Sequence, residues 1–163
     1  MQVHGLIHKF PKEIKSLIFI FTIVLSIGFY GGLSFVNNTT SMQISGIESH
    51  YLGNENDEDA EVMKFKKNKR EILTIVHNHI LSLSVIFFLL SLILSTTSIN
   101  KKLKYFLMVE PFLSVLLTFG GIYFLWSGIL WFKYVIIISG IFMTLSFVLA
   151  TFSILYQLLF SKS

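Results

Sequence analysis

The chain has 163 residues, a mean hydropathy of +0.72, 53% hydrophobic and 13% charged residues, and a formal net charge of +4. So apolar a composition excludes an ordinary soluble domain and calls for a membrane. The absence of cysteine excludes disulfides and thiolate metal ligands, and lysines that flank apolar runs account for the charge without a nucleic-acid patch.

The first apolar run, near Leu17 to Val36, follows Lys9, Lys12 and Lys15. A signal peptide shares that basic start, but this run is long for such a segment and no small-x-small cleavage site follows it, so it is predicted to remain as an anchor. Residues 37–71 form the sizeable polar segment, read as an external loop. Asn37 and Asn38 each open an Asn-x-Thr sequon. Glycine-punctuated turns lead into Glu55, Asp57, Glu58, Asp59 and Glu61, and then into Lys64, Lys66, Lys67, Lys69 and Arg70. The plain reading is a solvated linker whose basic end meets lipid headgroups. Calcium is the sharper alternative, but an EF-hand register from Asn54 places Asp59 and Phe65 where glycine and glutamate are required.

Three further runs follow, near Ile72 to Leu94, Leu103 to Leu125 and Trp131 to Leu155. About 20 helical residues cross a hydrocarbon layer of about 30 Å, and the strict alternation of a barrel strand is missing. The predicted fold is therefore an all-α membrane protein, one domain over 1–163 built as a four-transmembrane-helix bundle. Lys9, Lys12 and Lys15, with Lys101, Lys102 and Lys104 in the turn between the second and third helices, place both termini in the cytoplasm. The basic residues at 64–70 pull against that orientation, while Trp126, Trp131 and Phe132 fit an interfacial aromatic belt.

His77 and His79 stand just inside the second helix. An antiparallel hairpin turning near Asn100 sets His79 opposite roughly Gly120 and Glu110 opposite roughly Leu89, two levels about 15 Å apart. Counting in from the other helix ends brings Gly28 to Gly32, Gly120, Gly121 and Gly140 to the histidine level. Such glycines allow close helix packing, as the spacing Gly28-x-x-x-Gly32 indicates, or leave room for a flat cofactor. At 100° per residue, His77 shares a stripe with Ser84, Ser91 and Ser95, whereas His79 points about 200° away, so His77 is the expected interior side chain and His79 is directed at another helix neighbour, a second subunit or the lipid boundary.

A b-type haem would use His77 or His79 beside Gly120, Gly121 and Gly140. The other three spans hold no histidine, so a second axial ligand must be a methionine or come from a second copy. A divalent metal such as zinc or copper would instead gather His77, His79, His50, Glu48, Glu55 and Glu71 at the membrane surface. An i, i+2 pair on a regular helix cannot chelate one ion alone, and the plain alternative is a histidine bonded to a backbone carbonyl or a serine.

Glu110 and Pro111 form a separate feature. Proline frees the carbonyl of Leu107, and a carboxyl at this depth must be neutral, paired or snorkelling. A proton relay is one reading; the plainer one makes Lys101 to Pro111 an interfacial segment with Lys101, Lys102 or Lys104 beside the carboxylate. No phosphate-binding loop, nucleophile elbow or paired-histidine zinc motif occurs, so no catalytic residue is assigned.

The stretch GIESHYLGNENDEDAEVMKFKKNKREILTIVHNH, followed by apolar spans, resembles an uncharacterised family of small four-span bacterial membrane proteins. That family has a Tyr-x-Gly-Asn-Glu loop and a His-x-His helix start, and some members carry an elongation-factor name although no nucleotide-binding domain is present. The resemblance implies the bacterial inner membrane and directs attention to Tyr51, Gly53, Asn54, Glu55, His77 and His79, without an established activity. Three classes of function follow: a haem- or metal-associated protein, a structural or accessory subunit acting through a homo-oligomer or a membrane complex, and, ranked last, a proton-coupled transporter using Glu110.

Overall fold

The computed structural model describes residues 5–55 and 62–160. Asp57, Glu58, Asp59 and Glu61 lie outside the described residues, and so does half of the calcium register that starts at Asn54. A short 3-10 turn, Leu6–Lys9, precedes five helices: α1 (Lys12–Thr40), α2 (Ile44–Leu52), α3 (Lys69–Ser95), α4 (Lys101–Trp126) and α5 (Phe132–Phe160). Helices α1, α3, α4 and α5 are each long and apolar enough to cross a membrane, as the sequence leads one to expect.

The helices begin where polar side chains satisfy free backbone donors. At α3, Asn68 accepts from the backbone N–H of Glu71 (2.9 Å) while Glu71 accepts from that of Asn68 (2.8 Å), a reciprocal capping box. At α4, Asn100 accepts from Lys102 N–H at 2.9 Å. The freed carbonyls at the end of α3 find Lys104, whose ammonium donates to Ser95 O at 3.0 Å and to Thr97 O.

One end of the bundle gathers the N-terminal turn, the α3–α4 turn and the end of α5. Gly5 and Ile7 donate to the carbonyls of Thr97 (3.2 Å) and Thr96 (3.1 Å), and Ser98 N–H donates to Gln157 Oε1 at 2.8 Å. The opposite end gathers α2, the returning segment 62–68 and the α4–α5 turn. Helix α4 is central, packing on α3 and α5 through Leu107, Val115, Ile122 and Leu125 against Phe87, Leu90, Ile136, Phe147 and Ile154. Helix α1 is peripheral: Phe29 stacks on Phe147 of α5 with centroids 3.9 Å apart, but only 11% of its apolar window is buried, against 44% for α4.

The polar segment is more than a solvated linker. Helix α2 lies on the end of α1 so closely that a Cβ at Gly46 would sit 1.8 Å from Thr40 O. Gly53 then turns the chain with φ +83°, and a Cβ there would meet Lys66 N at 2.7 Å and Lys64 O at 2.9 Å. Asn54 holds the returning segment through its N–H to Lys64 O (2.9 Å), its Oδ1 to Lys64 N–H (2.5 Å) and its Nδ2 to Val62 O (3.0 Å). Lys67 N–H donates to Tyr51 O at 3.2 Å. The Tyr-x-Gly-Asn-Glu stretch is a backbone clasp.

That clasp fastens a cap over the bundle. Trp126 Nε1 donates to Lys67 O at 2.7 Å, Lys64 Nζ reaches Thr39 O at 3.1 Å, and Lys133 of α5 pairs with Glu48 of α2 at 2.6 Å. The ammonium of Lys66 lies 5.4 Å from the centre of the Trp126 ring. Three of the four spanning helices are thereby tied to the polar segment.

Candidate functional site

The hairpin register follows the residue count. Ser91 of α3 donates to Met108 O of α4 at 3.3 Å, and farther along the ring of His79 stacks on Phe119, beside Gly120, with centroids 4.5 Å apart and planes 19° apart. The sequence expectation of an interior His77 is not met, and it is His79 that meets α4. His77 is exposed, in an open groove lined with Lys69, Arg70, Leu73, Thr74 and Asn78. Ser84 and Ser91 do lie towards the bundle, but seven-residue steps on a straight helix drift by about 20° each, so the stripe has rotated outward by His77. His79, although also exposed, gains the helix contact and has Nδ1 2.8 Å from Ile75 O.

The glycines differ in their surroundings. Gly121 faces Ile136 of α5, where a Cβ would approach Cγ1 to 3.0 Å, which is close helix packing. Gly120, Gly140, Gly28, Gly31 and Gly32 have no heavy atom within 4 Å of a built Cβ apart from local backbone. Gly28, Gly31 and Gly32 are exposed, and Gly120 and Gly140 are half-buried.

The six candidate metal ligands are distributed among other tasks. Glu48 is paired with Lys133, Glu71 closes the α3 capping box, and Glu55 Oε1 lies 3.4 Å from Lys66 N. His50 meets the Tyr51 ring edge-on with centroids 4.8 Å apart. Among the described residues no three histidine, aspartate or glutamate side chains come close enough to hold one ion. Burial first, and then Lys67 and Lys64, hold the His50 imidazole below its ordinary pKa, while burial pushes the Tyr51 hydroxyl up to about 12. Both shifts favour the neutral forms within the cap.

Sequence reasoning placed a lysine beside Glu110, and the structure replaces it with hydroxyls. Helix α4 runs unbroken through Pro111, Lys104 is engaged with the α3 carbonyls, and the Glu110 carboxylate accepts from Ser114 of its own helix and Ser146 of α5. Two turns along, Thr118 and Ser139 share a hydrogen bond of 2.7 Å, so α4 presents Glu110, Ser114 and Thr118 in one polar row to α5. The i, i+4, i+8 spacing of those three residues was the available signal; the partners on α5 required the helix pairing.

A family model described as a transmembrane helical domain matches residues 41–163, which takes in everything from α2 to the end of α5 and leaves α1 outside. No curated protein and no solved structure matches the chain.

Proposed function

Since the chain belongs to this transmembrane helical domain family, a multi-pass membrane protein, we propose that it is a non-catalytic structural or accessory subunit whose α1 packs against another transmembrane helix. The observation that carries the reading is α1 itself. It lies outside the matched segment, is scarcely buried, and carries Gly28, Gly31 and Gly32 with open space where side chains would be. Small residues at this spacing let two helix backbones approach closely, which is how helices gain contact energy where lipid removes the hydrophobic drive. Placement in a bacterial inner membrane, with both termini inside, belongs to the same proposal.

The test is the mass of the protein in mild detergent and in nanodiscs, by light scattering or native mass spectrometry. The wild type is expected as a homo-oligomer or in a defined complex, and a Gly28→Leu, Gly32→Leu double variant as the folded single chain. A wild type that remains a single chain throughout overturns the proposal.

A second reading, haem b or a divalent metal held by His79 and His77, draws support from the Ile75 carbonyl at His79 Nδ1. A bond of that kind fixes a ligating imidazole and leaves Nε2 for the metal. Because both rings lie on the outer surface of the bundle, the remaining ligands would come from a second chain. An absorption spectrum and elemental analysis of purified wild type, His77→Ala and His79→Ala decide it: a Soret band or bound metal lost in the variants supports this reading, and a colourless, metal-free wild type removes it.

A further inference from the structure

The row of polar side chains between α4 and α5 contains an acid that an accessory role does not use. Glu110 lies nine residues beyond Lys101, about 14 Å along the helix. With the α4 lysines at the headgroups, that is within the hydrocarbon. An ionisable group at such depth is expensive and needs a partner. Here the partners are two hydroxyls, Ser114 on Oε1 and Ser146 on Oε2, and among the described residues no cation lies within ion-pair distance of the carboxyl.

The surrounding helices add no other charge. From Ile80 to Ser95 on α3, from Val135 to Leu155 on α5 and from Leu17 to Phe29 on α1 there is no ionisable side chain. On α4 the nearest are Lys104, occupied by the carbonyls of Ser95 and Thr97, and Tyr105, which is exposed. Glu110 is the single ionisable group at its level.

A hydroxyl is both donor and acceptor, so this pair can serve either form of the acid. The ionised carboxylate accepts from both serines. The protonated carboxyl donates to one of them, whose own O–H then turns to the carbonyl one helical turn back. That bond is the one Ser139, Thr144 and Thr151 already make on α5, to Val135, Gly140 and Phe147 at 2.6, 2.8 and 2.8 Å. Neither state leaves a polar atom unpaired, and no backbone has to move between them.

We propose that Glu110, with Ser114 and Ser146, is a proton-binding site at membrane depth that is loaded and emptied in the folded protein. The polar row ends at Thr118 and Ser139, beyond which Gly121 is packed on Ile136 and both Ile122 and Leu125 are buried. The geometry is that of a binding site, not a through-path. It is independent of α1 and of any oligomer, so the two proposals can fail separately.

Dicyclohexylcarbodiimide, an apolar reagent, tests the site in the full-length protein in detergent. A protonated carboxyl gives its proton to a carbodiimide nitrogen and adds its oxygen to the central carbon. Shielded from water, the adduct rearranges to a stable acylurea with no atom lost, so the intact mass rises by one reagent. The expected result is a single adduct that peptide mapping places on Glu110. Its yield should fall from mildly acidic to mildly alkaline buffer, and Glu110→Gln should lack it. The Ser114→Ala, Ser146→Ala variant, checked for unchanged helicity, should shift the half-yield point, because both hydroxyl partners of the carboxyl are gone. Failure to label Glu110 in any buffer overturns the proposal, as does a yield indifferent to pH, a midpoint unmoved by the serine changes, or equal labelling by a water-soluble carbodiimide.

Discussion

Gly53 shows how one backbone position holds the polar segment in place. A side chain there would suffer twice, from φ +83° and from the backbone of Lys64 and Lys66 less than 3 Å away. Gly53→Ala is therefore expected to lose about 1–3 kcal/mol and to release the Trp126 indole from Lys67 O, visible as a fluorescence shift in a Trp131→Phe background. The two titrating groups beside it bound the same clasp in pH. His50 is held neutral, so stability is fully present above its ordinary value of 6.5 and declines as pH falls below it. The Tyr51 hydroxyl, raised from 10.0 to about 12, gives stability that is present below 10.0 and lost as pH rises through about 12. Thermal melts followed at Trp126 should peak between these limits, and His50→Gln should remove the acid-side decline alone. At this scale the sequence was least legible. The relative angle of His77 and His79 could be counted at 100° per residue, but a count supplies no reference direction, and Phe119, which takes up the His79 ring, carries no mark that distinguishes it from 16 other phenylalanines.

Helices were far more legible, because an apolar run of membrane length has few alternatives. The hairpin register was legible too: a turn near Asn100 suffices to bring His79 to the level of Gly120, and the Ser91 to Met108 hydrogen bond agrees with the same count. Helix α2 was not, since a nine-residue helix containing Gly46 has weak intrinsic propensity and exists by resting on Thr40. Pro111 was read as a boundary, yet α4 continues through it, as transmembrane helices can when neighbours take up the freed backbone groups. The α3 start makes a measurable case. Asn68→Ala leaves the Glu71 N–H without its acceptor and is expected to cost about 1 kcal/mol, read as faster amide exchange over residues 69–73 with the rest of α3 unchanged.

For the molecule as a whole, the side of the membrane on which the cap lies is open to direct measurement. The chain has no cysteine, so each introduced thiol reports alone. With both termini inside, Glu55→Cys should react with an impermeant maleimide on intact cells and Ser98→Cys only after the membrane is opened; the opposite pattern would invert the orientation and leave the bundle intact. The positive-inside count alone leaves a contest between two lysine clusters, one at each end, and bundle geometry cannot break the tie because it is the same either way up.

Among the described residues, helix α1 is hydrogen-bonded to its surroundings near its extremities. Lys64 on Thr39 O secures one, and the backbone bonds of Gly5 and Ile7 to the α3–α4 turn secure the chain just ahead of the other. Between them it touches the rest mainly by dispersion, as where Phe29 meets Phe147. Fixed at both tips and seated at mid-length by Thr22 and Phe29, the helix holds its place while the face carrying Gly28, Gly31 and Gly32 stays open.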